Sequence, residues 1–415
     1  MIPDHPDRSA LMDEVHARPI DLIEATCRVR RLVIIMPDRA GAMAEAFAQF
    51  ARHCDHLDLP PPAPHARQHG FTRDGLAITW EFHTEFLTVT WRGPLAEPVK
   101  APQALGIEGI AEGRLIGAMR IDVIADETVP DALLPGFSLP SLCLSRVEDG
   151  RAEVATDFVP DGDRFTRFEF AAGGLTPLRR SIIVRRLLEV ETYRTMALLG
   201  LPLARAATPE LREVELALSE LVEGMTHGAE ADTSQSTLEQ LQLLSIRTSK
   251  LSERLHYRFA AGRAYGDILK VRLGGLREAP TTRGSTLGHY LGNRVDPGLA
   301  TCAAVEKRLA SVAAKIERAI GVLNVQIGVQ MQHQNAQVLQ RIAQTARSQF
   351  LLQRTVEGLS TIAISYYMLG ILAYALAGPL ERVHWDKPLV ISIAAPFVIF
   401  AVWLTSRRIR SAHDH

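Results

Sequence analysis

The sequence is short of cysteine, lysine and aromatic residues and has no excess of either charge. Its four cysteines, Cys27, Cys54, Cys143 and Cys302, stand far apart with no C-x-x-C pair. That spacing excludes a disulfide framework and a cysteine zinc ribbon, and it fits a reducing compartment. There are six lysines, arginine supplying the other basic residues, and 46 basic side chains offset 47 acidic ones. Near neutrality excludes the basic field that draws a protein to nucleic acid, so only local charge is informative. Phosphate-loop, G-x-S-x-G, H-E-x-x-H and dinucleotide fingerprints are all missing, and no cofactor is expected. The start, Met1-Ile-Pro-Asp-His-Pro-Asp-Arg8, lacks the basic end and apolar run of a signal peptide, which places the bulk of the chain in the cytosol.

What is present is apolar length near the C-terminus. Residues 358–380, GLSTIAISYYMLGILAYALAGPL, carry no charge, and neither do residues 388–406, PLVISIAAPFVIFAVWLTS. A bilayer core needs roughly 20 helical residues, and both runs meet that length. The loop Glu381-Arg-Val-His-Trp-Asp-Lys387 between them has room only for a tight hairpin. Arg341, Arg347 and Arg354 precede the first run and Arg407, Arg408 and Arg410 follow the second, against Arg382 and Lys387 in the loop. The positive-inside rule then puts both termini in the cytoplasm of a bacterial inner membrane and loop 381–387 outside. Tyr374, Trp385 and Trp403 fall near the expected interfaces.

Over its 415 residues the chain has a hydrophobic content of 47% and a charged content of 22%, enough for two or three domains with a sizeable core. Residues 30–36 (RRLVIIM) read as a buried strand and 40–52 as an alanine-rich helix. Residues 76–91, LAITWEFHTEFLTVTW, are dense in β-branched and aromatic side chains and too long for one strand, so a hairpin turning near His83-Thr84 is expected. Further strands are expected at 115–124, 141–147, 153–159 and 165–171. The reading is an α+β cytosolic domain over 1–175 with a mainly antiparallel sheet. Helices follow at 178–199, at 209–223 with Pro209 at the start, and at 236–277. Glycines and prolines between Gly274 and Gly298 read as a connection that breaks helix. The expected organisation is therefore 1–175, a helical region 176–297, a stalk helix 298–357, transmembrane helices 358–380 and 388–406, and a tail 407–415.

The stalk has a measurable period. Val305, Leu309, Val312, Ile316, Ile320, Leu323, Ile327, Met331, Gln334, Val338, Ile342 and Thr345 are spaced 4-3-4, an 11-residue repeat. Eleven residues in three turns predict a straight or slightly right-handed coiled-coil-like supercoil. Sixty such residues extend roughly 90 Å. The stripe packs either on the preceding helix of the same chain or on a second copy. Residues 319–340 carry no charge apart from His333 and have glutamine at 326, 330, 332, 334, 337 and 340. So many neutral amides fit a face turned to other helices, or the lining of a narrow aqueous channel.

Chemistry-bearing residues are sparse. Glu81, His83 and Glu85 alternate, and on one strand they would share a face fit for a hard metal or a general base. A turn at His83-Thr84 would dissolve that face and leave a solvated edge. His53, Cys54, Asp55, His56, Asp58, His65 and His69 are zinc-capable but lack the spacing of a closed site. Asp13-Glu14-Val15-His16-Ala17-Arg18-Pro19 joins carboxylates to an imidazole without a nucleophile, which favours a structural or interaction role. Residues 258–278 bear Arg258, Arg263, Lys270, Arg272 and Arg277, continued by Arg283, His289 and Arg294, a patch for anionic lipid or phosphate or simply a solvated helix face.

The blocks DEVHARP (13–19), EFHTEF (81–86), LLEVETYRTMALLGLP (187–202), YRFAAGRAYGDILKVRLGGLRE (257–278) and RTVEGLSTIAISYY (354–367) resemble a bacterial family of predicted membrane-anchored proteins catalogued as a domain of unknown function. That resemblance implies an inner-membrane location and no known activity. The layout is also similar to CorA-type magnesium channels, although Ala377-Gly378-Pro379-Leu380 stands where that family has Gly-Met-Asn. The expected partners are the lipid bilayer and further copies of the chain, through stalk and hairpin; nothing in the pattern names a small ligand or ion. Two function classes follow: a membrane-anchored, homo-oligomeric interaction or sensing protein, and a CorA-like cation channel or transporter.

Overall fold

The run CRVRRLVII forms strand β1 (Cys27–Ile35), and it is buried along nearly its whole length because both faces of the sheet are covered. Val29 and Val33 point to one face, Leu32 and Ile34 to the other. The computed structural model describes residues 5, 8, 18–64, 66–96, 103–110, 112–226, 231–383 and 386–413.

After β1 come α1 (Ala42–His56), β2 (Gln68–Arg73), β3 (Leu76–Phe82), β4 (Phe86–Gly93), β5 (Arg114–Ile124), β6 (Cys143–Val147), β7 (Ala152–Pro160) and β8 (Thr166–Ala171). Helices α2 (Pro177–Leu198), α3 (Gly200–Thr226) and α4 (Ala231–Gly275) follow. The two-residue β9 (Ala279–Pro280), α5 (Leu287–Val383) and α6 (Lys387–His413) complete the described elements. The sheet runs β2-β3-β4-β1-β5-β8-β7-β6-β9. Every neighbouring pair is antiparallel except β5 with β8, so the sheet is mixed. The expected hairpin is there: β3 and β4 turn through residues 83–85, with Glu81 opposite Thr88.

On one face α1 lays Ala46, Phe50 and Cys54 against Ile78, Trp80 and Trp91. Phe50 stacks on Trp80 with ring centroids 4.4 Å apart. On the other face α2 packs Ile183, Leu187 and Val190 into a core with Val33, Met119, Ile121 and Phe168. Leu269 near the end of α4 and Leu287, Leu291 and Val295 at the start of α5 close the same core. Residues Met1–Gly228 and Thr237–Ile320 make one compact unit, and Ala229–Ser236 with Gly321–His415 make another.

Two helix boundaries differ from expectation. Pro209 lies inside α3 instead of at its start. The buried stripe Ala204, Ala207, Leu211, Val214 passes straight through it, and that burial outweighs the single hydrogen bond a proline removes. The last long helix begins at Leu287, not near Gly298, and runs through Gly288, Gly292, Pro297 and Gly298. Its first turn is capped from outside: the Glu278 carboxylate accepts from the Leu287 and Gly288 amides at 2.9 and 2.8 Å, and Thr286 Oγ1 accepts from His289 N. Caps of this kind supply the partners that the first helical amides lack.

Within the first unit α3, α4 and the early part of α5 pack side by side, joined by Arg247 with Glu213, Arg254 with Glu210, Arg308 with Glu215 and Arg263 with Glu306. The 4-3-4 stripe is buried at Val305, Leu309, Val312, Ile316 and Leu323. Farther along α5 it emerges: residues 331–350 are all exposed, among them Met331, Val338 and Ile342. Two stretches are long and apolar enough to cross a membrane. An 18-residue window within Leu287–Leu376 has mean hydropathy 1.6, and one within Pro388–Ser406 has 2.2. Ser365 and Val402 are buried while most neighbouring apolar side chains are exposed. Trp385 and His65 lie outside the described residues.

Candidate functional site

A cavity of about 90 Å³ lies between the sheet, α2 and the segment of residues 19–23. Its floor comes from alternate residues of adjacent strands: Arg31 on β1, Thr79 and Glu81 on β3, Thr90 and Arg92 on β4. Register explains their convergence. Arg31 pairs across the ladder with Thr90 and Glu81 with Thr88, which puts all four side chains on the α2 side of the sheet.

Arg31 is held at two points: Nε donates to Thr90 Oγ1 at 2.7 Å and Nη2 donates to Glu81 Oε2 at 2.8 Å. Thr88 Oγ1 donates to the same Glu81 oxygen at 3.0 Å. Burial pushes the Glu81 carboxyl up, but Arg31, with His83, Arg185 and the Thr88 hydroxyl, outweighs it and keeps the group below the usual carboxylate range. From α2 come Ser181, Val184, Arg185 and Leu188.

The covering segment is tied down along its length. Arg185 Nη1 donates to Arg18 O at 3.0 Å, Gln68 Nε2 to Pro19 O at 3.3 Å and Arg92 Nη1 to Leu22 O at 2.6 Å. Thr79 donates to Asp21, and Ile23 N donates to Ser181 Oγ at 2.8 Å. Arg18 itself donates to Phe82 O, so the described end of the block at residues 13–19 sits beside this cavity; residues 13–17 are outside the described residues.

Glu81, His83 and Glu85 do not share one site. Glu81 belongs to the cavity floor. His83 occupies the turn, stacked on Phe86 at 4.1 Å with its Nε2 buried and without a hydrogen-bond partner among the described residues. Burial, with Arg18, Arg31 and Arg67 nearby, pushes its pKa down to about 3 against the opposing pull of Glu81. Glu85 instead reaches α4, where it accepts from Arg258 Nη2 at 2.6 Å and Tyr265 Oη at 2.7 Å. Among the described residues no group of three His, Cys, Asp or Glu is arranged to hold a metal.

The other sequence candidates are engaged elsewhere. His53 Nε2 meets Ala104 O at 3.2 Å, His56 Nδ1 meets Arg52 O at 2.6 Å, and His69 packs edge-on against Phe50. Cys54 is fully buried, and burial pushes the Cys27 and Cys143 thiols up to about 11 and 12, which leaves them unreactive at neutral pH. The basic patch is largely paired: Arg258 with Glu85, Arg272 with Glu189, Arg277 with Glu148 and Asp149, Arg283 with Asp131 and Glu153.

Arg31, Thr90 and Arg185 carried no motif. The signal available was periodic: polar residues at every second position of β3 and β4, Thr79, Glu81, Thr88, Thr90 and Arg92, on one face of strands whose other face is apolar. No curated protein matches the chain. The family described as "Protein of unknown function (DUF3422)" matches residues 3–413, nearly the full length, and the chain belongs to that family.

Proposed function

We propose that the chain is a membrane-anchored, homo-oligomeric interaction or sensing protein of the bacterial inner (cytoplasmic) membrane. Both termini and the sheet-bearing region are cytosolic, and residues 381–387 face outward. The arginines that flank the two apolar runs support this orientation by the positive-inside rule.

One observation carries the self-association. The apolar stripe that is buried from Val305 to Leu323 keeps its spacing into a part of α5 where residues 331–350 are all exposed. Large apolar side chains repeated on one helix face need a partner surface to leave water. A second copy suits that surface because residues 319–340 are uncharged apart from His333, so identical faces do not repel each other. Glutamine amides carry both donors and acceptors and satisfy one another across such a contact.

The test is disulfide crosslinking in native membranes with single cysteines along α5. Met331→Cys and Val338→Cys, on the stripe, are expected to give crosslinked dimers, whereas Ala336→Cys and Gln340→Cys, on the opposite face, are not. Equal crosslinking on both faces, or none on the stripe, contradicts the assembly.

A further inference from the structure

We infer that the cavity between residues 19–23, the sheet and α2 is a binding site for a small organic monocarboxylate. This inference stands independently of the membrane and self-association reading.

Charge is the first argument. Three guanidinium groups line the cavity, those of Arg31, Arg92 and Arg185, against the carboxylates of Glu81 and Asp21; Glu189, which pairs with Arg185 outside the lining, pairs there with Arg272 as well and so leaves the balance unchanged. One positive charge is left in excess, and a monoanion neutralises it. A buried or half-buried surplus charge is costly unless paired, so the site gains most from a ligand with a single negative charge.

Hydrogen-bonding capacity is the second. Arg31 commits Nε and Nη2 to Thr90 and Glu81, and its Nη1 makes no hydrogen bond with a described residue. Arg185 commits Nε to Glu189 and Nη1 to Arg18 O, which leaves its Nη2 in the same state. A planar guanidinium already fixed by two partners presents its remaining donors with little further entropy loss, and carboxylate oxygens fit that geometry. Glu81 Oε2 already accepts from Arg31 and Thr88, so the carboxylate in the floor serves to hold Arg31 in place.

Size and lining are the third. About 90 Å³ exceeds the volume of one or two waters, each of which takes roughly 30 Å³ in the liquid, and suits a ligand of a few heavy atoms. Val29, Ala77, Val184 and Leu188 add apolar lining beside the arginines. A short alkyl chain joined to a carboxylate matches both kinds of lining, whereas inorganic phosphate would bury polar oxygens against the apolar side chains.

Residues 18–23 close over this space, and two of the tethers are the lining residues Arg92, to Leu22 O, and Arg185, to Arg18 O. Ligand bound to those guanidinium groups is therefore coupled to the position of the segment.

The experiment is isothermal titration calorimetry of the full chain in detergent micelles. The probes are acetate, propionate and butyrate, with propionamide, propylammonium and inorganic phosphate as comparisons. At least one of the three carboxylates is expected to bind saturably with a dissociation constant below about 1 mM. The amide, the ammonium and phosphate are expected to bind at least tenfold more weakly. Arg185→Gln is expected to weaken the carboxylate at least tenfold. Ala77→Leu and Val184→Phe, which fill the cavity, are expected to abolish binding while the thermal midpoint read from tryptophan fluorescence stays close to the parent's. The inference is overturned if none of the three carboxylates binds better than propionamide, if phosphate binds more tightly than all of them, or if binding survives in whichever filled variant keeps its folded midpoint. Failure of both filled variants to fold transfers the decision to Arg185→Gln, where unchanged affinity overturns it.

Discussion

Arg31 Nη2 on β1 donates to Glu81 Oε2 on β3 over 2.8 Å, across the intervening strand β4, and both side chains are only 8% exposed. The pair is closed off from solvent on the α2 side and anchored by Thr88 and Thr90. Removing one member leaves the other charged and buried, and that cost exceeds what the pair itself contributes.

Glu81→Gln is accordingly expected to destabilise the sheet-bearing unit by about 3 kcal/mol. The double variant Glu81→Gln, Arg31→Met should recover much of that loss, because no charge is then stranded. Urea unfolding followed by the fluorescence of Trp80 and Trp91, both fully buried in this unit, measures it. A double variant less stable than the single one would contradict the account.

His83 sets an acid-side limit. Its folded pKa, pushed down to about 3 by burial, lies below the unfolded value near 6.5. Between these values the unfolded chain binds the extra proton, so stability is complete above about pH 6.5 and falls as pH drops toward 3. The loss at pH 5.5 is about 1 kcal/mol. His69, lowered by burial, adds with the same sign. Glu81, whose carboxyl is lowered, contributes only above its unfolded value near 4.3, so its stabilisation is lost at still lower pH. Unfolding midpoints at pH 7.5 and 5.5 should differ less for His83→Gln than for the parent chain; an equal difference would contradict the assignment.

Glu85 ties the β3–β4 turn to α4 through Arg258 and Tyr265. Burial, then the hydrogen bond and charge of Glu85, raise the Tyr265 phenol above its ordinary value, so Tyr265 remains the donor at neutral pH. Glu85→Ala is expected to cost about 2 kcal/mol and Tyr265→Phe about 1 kcal/mol. The double variant should cost less than the two losses added, since both residues serve one contact. Strict additivity in the same urea series would show that they act separately.

Much of the sheet was legible because its strands are written in β-branched and aromatic residues, and the β3–β4 turn followed from the length of residues 76–91. Strand β2, Gln68–Arg73, was not legible: QHGFTR has little apolar content, and its extended form comes from pairing with β3 at the edge. Pro209 and Pro297 misled for a shared reason, since local preference yields where a buried stripe runs on both sides of the proline. The cavity was illegible as a motif because Arg31, Glu81 and Arg185 are brought together by strand register and the placement of α2. Glu81 was visible as a carboxylate, but its partner was not. The emergence of the α5 stripe beyond Leu323 depended on where the neighbouring helices end.

Membrane anchoring by the two apolar runs is the central claim, and alkaline carbonate extraction of membranes from cells expressing the chain tests it most directly. The expected result is that the intact chain stays in the pellet while a version ending at residue 357 passes to the supernatant. Release of the intact chain by carbonate, with no difference from the shortened one, would contradict it.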